Sequence, residues 1–264
     1  MTESEKTDSC ELSNQEFSFQ LSLRKLAVVT VCLPLVALVI CFVGAYIFQQ
    51  SEIHETHCRV YNVIPSISAV TGISPERYIW RLSIALHVGP RILIASLYYR
   101  YYMSLSRYNF ITDKFSNLPQ LISFLYWLNI VEISSLMGVT YISNQDNYPI
   151  HEKIFIIFMV SSLFYMLISL IVFRRTHPNM NPYQYLSYLI KFTLFISSLI
   201  FTAGLIIFFM KHRLYCHDLA FSWFALCEYI IASANMGFHV TVFLDFPDNY
   251  LLVTNLPKIS SKKD

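Results

Sequence analysis

Six stretches of this chain, at about 26–48, 78–99, 119–142, 154–173, 187–210 and 218–243, are continuous apolar runs. A helix needs about 20 apolar residues to cross roughly 30 Å of hydrocarbon, and each run meets that length. The runs do not alternate between apolar and polar residues, as the strands of a membrane β-barrel do. Within lipid a backbone must satisfy its own hydrogen bonds, which leaves the helix. The sequence therefore predicts an all-α polytopic membrane protein, a bundle of six transmembrane helices. Composition agrees, with hydrophobic residues at 55% and charged residues at 14%, against about 45–50% and about 25% in soluble domains. The net charge of +2 gives no reason to expect a nucleic-acid partner.

Six crossings put both termini on one side. On that side the flanking cations are Arg24, Lys25, Arg100, Arg107, Lys114, Arg174, Arg175, Lys258, Lys262 and Lys263; the opposite loops hold Arg59, Arg77, Lys153, Lys211 and Arg213. Positive charge concentrates in the cytosol, so both termini are expected there. Residues 1–23 read as a polar, disordered cytosolic tail, 24–246 as the six-helix membrane domain, and 247–264 as a cytosolic tail. No cleavable signal is expected, because 1–23 lacks a basic start and a small-residue cleavage site; the run 26–48 reads as a signal anchor.

Cys58 and Cys216 fall in the first and the last of the non-cytosolic loops, where an oxidising compartment permits a disulfide. Their neighbours His57 and His217 leave open a two-cysteine, two-histidine zinc site, and two separate thiols are the third option. The usual zinc ligand spacings are missing, so the reading is a disulfide and no metal.

Ionisable residues inside the runs are costly, at least about 2.5–3.5 kcal/mol each at mid-bilayer, and so face a bundle interior with partners. The second run carries Arg81, His87 and Arg91. His87 and Arg91 share a face, whereas Arg81 lies about 80° around the axis and nearer the non-cytosolic end. Pro90 frees the carbonyl of Leu86, so a kink at Gly89-Pro90 with a polar pocket is expected. In the sixth run Glu228, Asn235 and His239 fall within about 20° of one stripe. Asn129 and Glu132 lie on the third run, and His151-Glu152 opens the fourth. Glu132 and Glu228 are the expected counter-charges of Arg81 and Arg91, with the pairing open. The structural alternative is that these residues only fix helix register and bridge helices. Tyr98, Tyr99, Tyr101 and Tyr102 are expected as an interfacial belt, and His54 and His212 as solvated loop residues. No nucleophile elbow, phosphate loop or zinc-protease helix occurs.

The segments THC (56–58), RYIWR (77–81), LHVGPR (86–91), NIVE (129–132), HE (151–152), YC (215–216) and EY…NMGFHVT…DF (228–246) resemble the post-GPI attachment to proteins factor 2 family. They follow in order from about residue 24 to 254. The resemblance implies GPI-anchor fatty-acid remodelling in the Golgi or endoplasmic reticulum membrane, at the step that returns a saturated chain to the sn-2 position of lyso-GPI. Its implied partners are lyso-GPI-anchored proteins, membrane phospholipid and other remodelling enzymes. It implies no cofactor beyond an acyl donor, an acyl-CoA or a phospholipid.

On these residues, Arg81, Arg91, Asn129, Asn235, His151 and Glu152 are expected to bind substrate, with Arg81 on the phosphodiester. His87 is the expected base and His239 its alternative, Glu228 or Glu132 sets the histidine tautomer, and Asn235 steadies the oxyanion. Two other classes stay open: a protein that binds or presents lyso-GPI to a separate acyltransferase, and an ion pathway along Glu228, Asn235 and His239.

Overall fold

The computed structural model describes residues 17–109 and 117–254. Strand β1 (Phe17–Ser22) leads into helix α1 (Leu23–Phe48), followed by the short helices α2 (Gln50–Ile53) and α3 (Ile67–Gly72). Long helices α4 (Glu76–Asn109), α5 (Leu118–Tyr141), α6 (Tyr148–Thr176), α7 (Pro182–Tyr215) and α8 (Ala220–Val240) come next, then the turn α9 (Val242–Asp245) and strand β2 (Tyr250–Thr254). Prolines sit in the first turns of α5, α6 and α7, where a missing N–H costs nothing. Asn181 and Gln184 form a reciprocal capping box at the start of α7.

Among the described residues α1, α4, α5, α6 and α7 are long and apolar enough to cross a membrane. Helix α8 has 21 residues, enough to cross at about 1.5 Å per residue, and it carries Glu228, Asn235 and His239 within that length. The long helices close a ring in which α1 packs on α4, α4 on α5, α5 on α6, α6 on α7, α7 on α8 and α8 on α1. Outward-facing residues such as Val36, Ile40, Ile156, Val160, Ile200 and Ile207 are exposed and apolar, as a lipid-facing surface requires.

Each end of the bundle is closed by a tie between segments far apart in sequence, the second of them the expected disulfide. Both expected tails contribute a strand: β1 pairs antiparallel with β2, Gln20 opposite Leu252, and the Leu23 N–H donates to Asn249 O. At the other end a disulfide joins Cys58 to Cys216. Around it the Tyr61 N–H donates to Asp218 Oδ1 over 3.1 Å and the Val63 N–H to Ser222 Oγ over 2.8 Å, lacing the loop after α2 to the turn between α7 and α8 and to the first turn of α8.

The tyrosine belt is not what forms. Helix α4 continues to Asn109, so these tyrosines lie within it and pack inward. Tyr98 donates to Asp245, Tyr101 bonds His177 over 2.8 Å, and Tyr102 is buried. Asp245 also takes an ion pair from the buried Lys191 and accepts from Ser187. His212, expected in solvent, is buried in α7. Helix α4 runs through Gly89-Pro90 unbroken, and the space beside Gly89 is open.

Candidate functional site

A cavity of about 120 Å³ opens inside the ring. Its walls are mostly apolar, with Val31, Leu38, Ile84 and Phe155 among them, and its polar lining includes Ser68, His87, Arg91, His151, Glu228 and Asn235. The cavity thus draws on α1, α3, α4, α5, α6 and α8.

His87 is held by α1. Its Nδ1 lies 2.6 Å from Thr30 O, and a carbonyl only accepts, so Nδ1 carries the hydrogen and Nε2 presents a lone pair. Thr30 in turn donates its hydroxyl to Leu26 O. The tautomer is therefore set by a backbone carbonyl, and not by Glu228 or Glu132 as the sequence suggested.

Behind the cavity Glu132 gathers the cations and amides. Asn235 Nδ2 donates to Glu132 Oε1 over 2.7 Å and lies 2.7 Å from Ser162 Oγ. His239 Nε2 lies 3.2 Å from the same Glu132 oxygen, and Arg91 Nη2 reaches Glu132 Oε2 at 3.5 Å and Asn129 Oδ1 at 3.2 Å. Glu132 is 1% exposed. This cluster ties α4, α5, α6 and α8 together. His239 stacks on Tyr165 at 5.2 Å and does not line the cavity.

Glu228 stands apart. Its Oε2 accepts the Ile67 N–H over 2.8 Å, anchoring α3 over the cavity. Arg81 pairs with neither glutamate. It donates to Thr140 O, Tyr141 O and Asp146 Oδ2, capping the carbonyl end of α5, where a cation is favoured. Asp146, also reached by Arg77 at 3.6 Å, lies at the surface. Hydrogen bonds from Ser143, and then the charge of Arg81, hold its carboxyl below the usual range.

Residues 22–249 match the family model Frag1/DRAM/Sfk1/Cwh43P N-terminal domain. The chain belongs to this family. It is 52% identical over 262 residues to a Drosophila melanogaster protein named post-GPI attachment to proteins factor 2-like, covering 97% of this chain and 79% of the relative. It is 36% identical over 237 residues to a Xenopus tropicalis protein named acyltransferase PGAP2, covering 89% and 92%. A Caenorhabditis elegans post-GPI attachment to proteins factor 2 is 33% identical over 228 residues, covering 84% and 85%. No solved structure matches. The chain is thus a multi-pass membrane member of the post-GPI attachment to proteins factor 2 family.

In this family member the cavity brings together His87, Arg91, Glu228, Asn235 and His151. Glu132, Asn129 and His239 lie behind its wall, Arg81 binds the α5 terminus, and Glu152 is outside the lining. Sequence reasoning missed Ser68, Ser162, Thr30 and Asp146, loop residues or common helix residues with no signal of their own. It also missed Lys191, although a lone lysine within an apolar run is such a signal.

Proposed function

We propose that this chain remodels GPI anchors by returning a saturated acyl chain to the sn-2 hydroxyl of lyso-GPI as GPI-anchored proteins mature. The observation that carries this reading is His87 with its Nε2 lone pair on a largely apolar cavity beside Arg91. The cavity's apolar walls suit the ester end of an acyl donor, and the lone pair takes the proton of an attacking hydroxyl. In a one-step transfer the hydroxyl oxygen bonds the donor's acyl carbonyl carbon, its proton passes to His87 Nε2, and the donor's alcohol or thiol leaves with that proton as the carbonyl re-forms.

The proposed setting is the Golgi membrane. Pairing of β1 with β2 brings the chain's ends together, which supports an even number of crossings with α8 as the sixth. The charge bias of the flanks supports cytosolic ends. Arg77 and Arg81 then lie at the luminal headgroup level, where a lipid phosphodiester competes with Asp146 for them.

The test is reconstitution. Purified protein in liposomes with lyso-GPI and a labelled acyl donor, a phospholipid or an acyl-CoA, is expected to yield diacyl product. Tight lyso-GPI binding without product overturns the catalytic reading in favour of a presenting protein.

A further inference from the structure

Ser68 lies on α3, in the loop between α1 and α4, and its Oγ is 2.9 Å from His151 Nε2 at the start of α6. His151 Nδ1 is 2.8 Å from Ile142 O. That carbonyl only accepts, so the ring hydrogen is on Nδ1, and Nε2 accepts the Ser68 hydroxyl. His151 is buried, and both residues line the central cavity. Serines elsewhere in the spans, such as Ser96 and Ser135, spend their hydroxyl on the carbonyl four residues back; Ser68 does not. The backbone before it is fixed, since Glu228 holds the Ile67 N–H and Ser66 caps α3. A hydroxyl bonded to an imidazole whose far nitrogen is held by an acceptor is the arrangement of an activated nucleophile.

Resting on the acyl-transfer reading above, we propose that Ser68 and His151 form a nucleophile–base pair that carries the acyl group covalently between donor and lyso-lipid. In the first half-reaction Ser68 Oγ attacks the acyl carbonyl of an oxyester or thioester donor. Its proton passes through His151 Nε2 to the departing alcohol or thiol, leaving an acyl-serine ester. In the second, the lyso-lipid hydroxyl attacks that ester, its proton passes through His151 to Ser68 Oγ, and the serine is restored. This two-step route replaces the one-step one: His151 takes the proton in both acyl-moving steps, and His87, instead of acting as base, holds the incoming hydroxyl in line.

The full-length protein in liposomes is incubated, without acceptor, with acyl-labelled phosphatidylcholine in one arm and acyl-labelled CoA in another. Label is expected on the peptide that contains Ser68 in the arm with the true donor, and added lysophosphatidylinositol is expected to chase it into lipid. Ser68→Ala is expected to lose the label and at least about 10²-fold in transfer, while still binding lysophosphatidylinositol. Ser68→Cys is expected to take up the label as a hydroxylamine-sensitive thioester, which a folding defect does not produce. Product without label on Ser68, or transfer at the wild-type rate in Ser68→Ala, overturns the covalent route and leaves acyl transfer standing. Neither product nor label with either donor overturns the acyl-transfer reading, and the covalent route falls with it.

Discussion

Asn235 on α8 donates to Glu132 on α5 over 2.7 Å, so α8 is pinned to the buried carboxylate of a neighbour. Arg91 and His239 approach the same side chain, and removing it takes the counter-charge from Arg91 and one acceptor each from Asn235 and His239, leaving Arg91 only Asn129 and Asn235 only Ser162.

Glu132→Ala is therefore expected to destabilise the bundle by about 3–5 kcal/mol, the usual cost of leaving a buried charge unpaired. Thermal unfolding in detergent measures it. Adding Arg91→Met to the same chain is expected to recover part of the loss, because the stranded cation goes with its partner.

His87→Asn keeps an N–H near the position that donates to Thr30 and removes the Nε2 lone pair. Its melting temperature is expected within a few degrees of wild type, while acyl transfer in liposomes falls about 10²-fold or more. An unchanged rate would remove His87 from the reaction.

The disulfide closes a separation of 158 residues and holds the loop after α2 against the end of α7. Cys58→Ser is expected to cost about 2–4 kcal/mol. Wild-type protein unfolded with and without reductant provides the check, with the reduced form melting at the temperature of the variant.

Asp146 occupies Arg81, and its depressed carboxyl stays ionised, and so competes with a lipid phosphate, well into the acid range. Asp146→Asn is expected to tighten lysophosphatidylinositol binding several-fold in a liposome titration. It is also expected to flatten the rise in affinity seen in wild type as pH falls far enough to protonate that carboxyl.

His177, just past the end of α6, stacks on Phe173 at 4.5 Å, and burial holds its imidazole below its ordinary value. The unfolded chain then takes up a proton before the folded one. Stability is full above about pH 7 and declines as pH drops through about 6.5 toward the folded value. His177→Phe keeps the stack and is expected to lessen the loss in melting temperature on acidification.

The helices were legible because an apolar run long enough to span leaves the backbone few alternatives. The buried positions of Glu132, Arg91, Asn235 and His239 were legible for the same reason, since lipid tolerates none of them. Their pairing was not, because it depends on which helices become neighbours around the ring. Arg81 was assigned a glutamate and instead meets Asp146, a loop residue that spacing along a helix cannot reach. The tyrosines were misread because α4 extends past the expected membrane edge and carries them back against α6 and Asp245. Ser68 was invisible: a serine in a loop acquires meaning only when His151 arrives from α6.

The antiparallel pairing of β1 with β2 also bears on biogenesis. A ribosome makes β1 before β2, so the two strands pair only after the helices between them have been synthesised. Helix α8, with its carboxylate, amide and imidazole, enters a site that α5 and α6 have already prepared. Glu132 waits 103 residues for Asn235, with Arg91, made earlier, as its interim partner. A truncation before α8 thus leaves an open ring whose polar seam faces lipid, a mark by which membrane quality control can recognise an unfinished copy.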